Sequence, residues 1–274
     1  MTTSASPLEA SESAPALRSI LLMHIPKTAG TSLFSLVENE YKAGEFCATY
    51  PDWEGVKATI AGFPVNHPMQ RAVIGHFMYG VHEQPELARF LAPRVEHGVF
   101  LRDPVRRVVS HYNYMIGSTH PIHQRLIDQH PTLEGFLDHI WARNAQSYFL
   151  VGAGLASVLT ERLALDRLQR NFDAVGLVER FDESVVLFAW RFGWRLPYYV
   201  PPRNTTEPAP GRIHAEDLDA RLVARIRAAN SCDQAVYDLA LEQFDAQCVE
   251  VPNFSERLAR YRNAPILRRS VAAA

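Results

Sequence analysis

The sequence predicts an α/β fold with a central, mostly parallel sheet, and three observations predict it. Short apolar runs of strand length recur along the 274 residues, at 21–25, 72–74, 95–101 and 174–178. Longer stretches of helical periodicity separate them, which is the alternation that builds parallel sheets. The residues that carry chemistry follow the runs directly: Lys27 to Ser32 after the first, Gly75-His76 after the second, Arg102-Asp103 after the third. Ligands of such sheets bind beyond the carboxyl ends of the strands, so the three positions converge.

In chain order, residues 1–16 are small, polar and Pro-containing, with no basic n-region and no apolar h-region. They read as a disordered N-terminal segment rather than a secretory signal. The run at 21–25 is a strand. The apolar spacing after it predicts a helix over 32–41. Residues 72–74 form a second strand and 95–101 a third. Asp103-Pro104-Val105 then opens a helix with an Asp cap and a proline in the first turn. From 116 to 170 the pattern is helical, clearest at 133–141 and 161–168. A fourth strand at 174–178 precedes a helix over 183–192. Residues 203–210 form a turn-rich loop placed to cover a site, and 220–244 is again helical. No break in composition divides residues 17–262, which read as a single domain, with 263–274 a C-terminal extension or tail.

Composition narrows the function classes. The chain is 47% hydrophobic and 21% charged, as in soluble globular proteins. With 28 basic and 30 acidic residues its net charge is −2, so the surface as a whole is not a nucleic-acid footprint, although a local basic cleft remains open. No apolar run approaches the roughly 20 residues needed to span a bilayer. Cys47, Cys232 and Cys248 lack paired ligand spacing and are expected reduced and buried. His120 and His123 have no companion ligands, so no metal site is expected.

Residues 23–32 read MHIPKTAGTS. A strand, a short loop and a helix start make an anion site, because the first turn of a helix leaves backbone N–H groups unpaired and its dipole favours negative charge. Lys27 adds a mobile cation, and Thr28, Thr31 and Ser32 add hydroxyls. The loop is not the common nucleotide-triphosphate pattern, in which lysine follows the second glycine; here Lys27 precedes Gly30. The bland alternative is a surface lysine beside a tight turn. Arg102 stands where a strand gives way to a helix, and its planar fork suits a phosphate, though a salt bridge to Asp103 is the competing role. Ser110 lies two helical turns on, on the side of Arg106; alone, it reads equally as a solvent-facing serine. Of Arg106 and Arg107, at least one is expected to be a solvated helix cation. His76 is either a structural hydrogen-bonding residue or a base, and His24 is expected to support the loop.

The segment from His24 to Ser32 closely resembles the 5′-phosphosulfate loop of the sulfotransferase family that includes the heparan sulfate 2-O- and 6-O-sulfotransferases and their bacterial relatives. The stretch from Leu101 through Arg102 to Ser110 is similar to that family's 3′-phosphate element. Asn144-Ala145-Gln146-Ser147, the stretch from Val175 to Ser184, and Asn230 with Asp233 and Tyr237 resemble further family segments. The likeness spans most of residues 20–262 and is weakest at 40–70 and 115–135. It implies a P-loop NTPase-like three-layer fold of the sulfotransferase type. It also implies transfer of the sulfuryl group of 3′-phosphoadenylyl sulfate (PAPS) to an acceptor hydroxyl, with adenosine 3′,5′-bisphosphate as product and no metal. The implied roles are Lys27 beside the transferring group; Thr28, Ala29, Gly30, Thr31 and Ser32 around the 5′-phosphosulfate; Arg102 and Ser110 at the 3′-phosphate; and His76 as the base. The implied acceptor is a carbohydrate or glycolipid, with a small lipid or metabolite alcohol still open. Unlike the Golgi members of that family, the sequence shows no membrane anchor, so a cytoplasmic, bacterial-type enzyme is expected, and the charge balance predicts no nucleic-acid partner. A metal-dependent nucleotide kinase and a non-catalytic nucleotide-binding protein are the alternative readings.

Overall fold

The computed structural model describes residues 17–50, 53–64, 67–202 and 211–267. Five strands form one sheet: β1 (Arg18–Met23), β2 (Phe46–Thr49), β3 (Ala72–Gly75), β4 (Arg94–Leu101) and β5 (Ala174–Leu177), in the order β2-β3-β1-β4-β5. Every pairing within it is parallel. β1 lies at the centre, and Ile20, Leu21, Leu22 and Met23 are all buried. A strand covered on both faces has no polar side to show, which is why its sequence is a continuous apolar run rather than an alternation. β2 leaves little trace in the sequence, because it is a four-residue edge strand with only Cys47 and Thr49 buried.

The order of the strands fixes where a ligand can sit. From β1 the chain crosses to one side, over β3 to β2, and from β4 it crosses to the other side, to β5. Loops leaving the carboxyl ends of β1 and β4 therefore diverge, and a crevice opens between them. Met23 is the last β1 residue paired with β4, opposite Val99, while β4 runs on through Leu101 paired with Leu177. The chain enters the 24–29 loop on one wall of this crevice and residue 102 on the other.

Twelve helices flank the sheet among the described residues: α1 (Gly30–Glu40), α2 (Trp53–Ala61), α3 (Pro85–Ala88), α4 (Pro104–Ile116), α5 (Pro121–Gln129), α6 (Leu133–Phe136), α7 (Ala145–Val151), α8 (Glu161–Asn171), α9 (Phe181–Phe192), α10 (Ala220–Ala229), α11 (Ser231–Glu250) and α12 (Phe254–Arg262). The helix expected over 133–141 ends at Phe136 and resumes as a short turn at Ile140–Ala142. Its continuation is replaced by His139, whose Nδ1 accepts from the Trp141 N–H at 3.2 Å, a local side-chain bond that competes with the helix. The helix expected over 220–244 is two helices meeting at Asn230. That residue is fully buried, and it donates from Nδ2 to the Ile226 carbonyl and accepts the Asn144 N–H at Oδ1.

The main core gathers around the sheet. A second apolar cluster joins Val105, Val108, Tyr112 and Met115 of α4 to Leu126, Leu133 and Phe136 of α5 and α6. The cysteines are all free; Cys47 and Cys248 are buried and Cys232 is half-buried. Residues 263–267 return to the body of the protein, where Tyr199 exchanges backbone bonds with Pro265 and Leu267. The expected disordered segment 1–16, the loop 203–210 and the end of the tail lie outside the described residues. No helix among those described is long and apolar enough to cross a membrane.

Candidate active site

The loop after β1 is held in shape by its own groups. The Thr28 N–H and hydroxyl both donate to the Ile25 carbonyl, at 3.2 and 2.8 Å. Lys27 and Ala29 take the left-handed backbone conformation, with φ of 74° and 64°. For residues with a Cβ this costs on the order of 1 kcal/mol or more each, and such strain concentrates at binding sites. Ala29 caps α1 without a side-chain bond, and the first turn holds no acidic residue. The Ser32 and Leu33 amides return to the Ala29 carbonyl, whereas Gly30 and Thr31 open the helix with no intrahelical acceptor for their N–H groups. A Cβ at position 30 would stand 1.7 Å from Cε1 of His24, so any residue but glycine would displace that ring. Thr31 lines the cleft above this helix start, but Thr28 and Ser32 do not. The Thr28 hydroxyl is spent inside the loop, and that of Ser32 donates to the Pro201 carbonyl at 3.3 Å.

The opposite wall begins at Arg102. Gln146 clamps its backbone, accepting the Arg102 N–H at Oε1 and donating to the Arg102 carbonyl from Nε2, both at 2.9 Å. Nη1 of Arg102 donates to the Lys27 carbonyl at 3.1 Å, tying the two walls together. Glu179 lies below, with Oε1 3.9 Å from Arg102 Nε and accepting the Asp103 N–H, while Oε2 accepts the Tyr237 hydroxyl. Asp103 caps α4 by accepting the Arg106 N–H at 2.9 Å. From α4, Arg106, Ser110, Asn113 and Tyr114 line the cleft.

Of the two adjacent arginines, Arg106 is the exposed one, with Nη1 2.7 Å from Glu216 Oε1. Arg107 is fully buried. Its Nη2 donates to the Trp141 carbonyl at 3.2 Å, and its Nε lies 3.9 Å from Asp233 Oδ2. Asp233 is buried too, and accepts from the Ser147 N–H and hydroxyl at Oδ1 and from the Gln146 N–H at Oδ2. The segment from Asn144 to Ser147 thus forms the footing of Arg102 rather than a wall of the cleft.

His76 reaches the cleft from the end of β3. The preceding Gly75 passes so close to β2 that a Cβ would meet the Thr49 carbonyl oxygen at 2.3 Å. His76 Nδ1 lies 2.7 Å from the His24 carbonyl oxygen. A carbonyl can only accept, so Nδ1 carries the hydrogen and the neutral ring presents the lone pair of Nε2. His24 stacks on His76 with ring centres 4.4 Å apart, its Nδ1 lies 2.7 Å from the Tyr50 hydroxyl, and Tyr50 meets His76 edge-on. Burial lowers the His76 pKa below the usual histidine value, partly offset by the bond to His24. His24 is pushed well below it by burial and then by His76 and Lys27. Burial, with the neighbouring Arg102 and Arg212, brings Lys27 down to about 8. Its ammonium sits 4.2 Å from the centre of the Tyr114 ring.

The resulting cleft encloses about 440 Å³, within the usual size range of small-molecule sites. Lys27, Arg102, Arg106 and Arg212 line it against one carboxylate, Glu216. A chain of net charge −2 therefore concentrates positive charge here. Lys27, Ala29, Gly30, Thr31, His76, Arg102 and Ser110 share this cleft. Sequence reasoning missed Arg212 and the segment around it. Asn113 holds that segment against α4, accepting from the Ile213 N–H at 3.0 Å and donating to the Ile213 carbonyl at 2.7 Å. No local pattern around Arg212 signals this, because the contact spans a hundred residues.

No family model matches the chain. Galactose-3-O-sulfotransferase 3 of Bos taurus is 24% identical to it over 262 residues, covering 85% of this chain and 58% of the bovine protein. The chain thus spans a little over half the length of that relative, and the likeness is to sulfotransferases in the broad sense.

Proposed function

We propose that the cleft binds PAPS and transfers its sulfuryl group to an acceptor hydroxyl, with a galactoside as the favoured acceptor because of the bovine relative's activity. The observation that carries this reading is one cationic cleft that joins an acid-free helix start, Lys27, Arg102 and a histidine with Nε2 turned free of its backbone bond. Backbone N–H groups at Gly30 and Thr31, with the Thr31 hydroxyl, would hold the phosphosulfate. Thr28 and Ser32, whose hydroxyls bond within the protein, would keep the loop in its strained form. Arg102 and Ser110 would take the 3′-phosphate.

In the transfer, Nε2 of His76 accepts the acceptor's proton as its oxygen attacks sulfur, and the bond from sulfur to the bridging phosphate oxygen breaks. Lys27 offsets the charge that develops on that oxygen. Adenosine 3′,5′-bisphosphate leaves with the electron pair, and the product is the sulfate ester.

The 3′-phosphate assignment is tested by calorimetry with adenosine 3′,5′-bisphosphate and adenosine 5′-phosphate. Hydrogen bonds to charged groups contribute about 1.5–3 kcal/mol, so the bisphosphate is expected to bind at least roughly tenfold more tightly. Arg102→Ala is expected to abolish most of that preference. Equal affinity of the wild-type protein for the two nucleotides would remove the assignment.

A further inference from the structure

A second cavity shares no lining residue with the cleft. It opens between α9, α12 and residues 194–197, and encloses about 340 Å³. At about 30 Å³ per water in the liquid, that is room for roughly ten non-hydrogen atoms, at the lower end of the range for small-molecule sites. Val186 and Ala189 of α9 are buried, as is Trp194, and with the half-buried Leu196 they give the cavity an apolar wall. Arg195, Arg257 and Arg260 line it as well, and none of the described residues lining it is acidic.

The cations of this cavity differ from their neighbours on the same helices. Arg262 of α12 pairs with Asp182 at 2.8 Å, and Arg191 of α9 pairs with Asp173 at 3.0 Å. Arg257 and Arg260 stand three residues apart, on one face of α12. Arg257 donates from Nε to the Pro252 carbonyl at 2.8 Å, and among the described residues neither arginine pairs with a carboxylate. The wall opposite them is fixed from behind. Glu40 accepts the Arg195 and Leu196 N–H groups at 3.0 and 2.7 Å, and so holds Leu196 in a left-handed conformation, φ 48°, that a residue with a Cβ rarely takes. Trp194 donates from its indole to the Tyr41 hydroxyl at 3.0 Å. Walls held in this way have little freedom to lose when a ligand enters.

We propose that this cavity is a second ligand site, for an organic anion with a hydrocarbon body. The body lies along Val186, Ala189, Trp194 and Leu196, and the anionic end meets Arg257 and Arg260. A neutral apolar molecule gains only from the burial of its body, and a small inorganic anion gains only at the arginines. An amphipathic anion gains from both. The planar guanidinium fork matches the two oxygens of a carboxylate. The volume admits a chain of about eight carbons with its carboxylate, so the ligand class is a medium-chain acyl anion rather than a full-length lipid. Since the two cavities have no residue in common, the site stands whatever reaction the cleft performs.

The test is calorimetry of the wild-type protein with octanoate, octanol and acetate, each with and without saturating adenosine 3′,5′-bisphosphate. Octanoate is expected to bind at least about tenfold more tightly than octanol, which lacks the charge, and than acetate, which lacks the chain. Replacing both arginines, Arg257→Gln with Arg260→Gln, should erase the preference for octanoate over octanol at unchanged Tm. Ala189→Leu, which adds carbon atoms to the apolar wall, should weaken octanoate and octanol alike; if that variant does not fold, the arginine pair at the surface still decides. The nucleotide should leave octanoate affinity unchanged. Equal affinity for octanoate and octanol, or a preference that survives the double arginine variant, would overturn the site. So would displacement of octanoate by the nucleotide, which would put the anion in the cationic cleft instead.

Discussion

Replacing His76 with alanine is expected to reduce sulfuryl transfer at least about 100-fold while leaving adenosine 3′,5′-bisphosphate bound, since a general base commonly contributes about 10²–10⁴-fold. The alanine variant also strips a donor from the His24 carbonyl beside the phosphate loop. His76→Asn isolates the chemistry, because its amide can still donate to that carbonyl but cannot take a proton. Both variants should therefore be slow, and the asparagine variant should keep wild-type nucleotide affinity. The pH profile carries the same claim. Burial lowers the His76 pKa, so the base is neutral and competent above a point below about 6.5, and activity should rise through that region. Lys27 must stay protonated to offset charge, so activity should fall as pH passes about 8 in the free enzyme. Loss of the acid limb in His76→Asn, with the alkaline limb retained, is the expected pattern. Turnover near wild type in a folded His76 variant would refute the assignment.

The second large effect is on stability. Asp233 accepts three hydrogen bonds from Gln146 and Ser147 and lies beside the buried Arg107 guanidinium. Asp233→Ala would leave that fully buried cation without its carboxylate. Breaking a buried pair from one side typically costs about 3–5 kcal/mol, which for a chain of this size is a fall in Tm on the order of 10 °C. Because Gln146 clamps Arg102, nucleotide affinity should fall as well. Asp233→Asn, which retains an acceptor oxygen, should lose less. A Tm within about 2 °C of wild type for Asp233→Ala would show that the pair carries no such weight.

The sheet was legible because its central strands are buried on both faces, and burial writes apolar runs into the sequence, Ile20 to Met23 in β1 and Val99 to Leu101 at the end of β4. The Lys27 loop and Arg102 were legible because each is a local pattern at the end of such a run, and the strand order brings them together across one crevice. Tertiary contacts hid the rest. β2 is short and half-covered, and the Asn230 break depends on Asn144, far away in sequence. The hydroxyls of Thr28 and Ser32 read as ligand donors in sequence, yet one closes its own turn and the other reaches Pro201. Arg212 enters the cleft wall through Asn113, and the Tyr50–His24–His76 contact joins the ends of three different strands. Spacing cannot report partners of that kind.

The most direct measurement is transfer of ³⁵S from labelled PAPS to methyl β-galactoside by the wild-type protein, with the product identified by mass. The expected result is a sulfated saccharide formed in equal amount with adenosine 3′,5′-bisphosphate, and strongly reduced product with His76→Asn. Absence of PAPS binding, or release of the label only as inorganic sulfate with every hydroxyl acceptor offered, would contradict it.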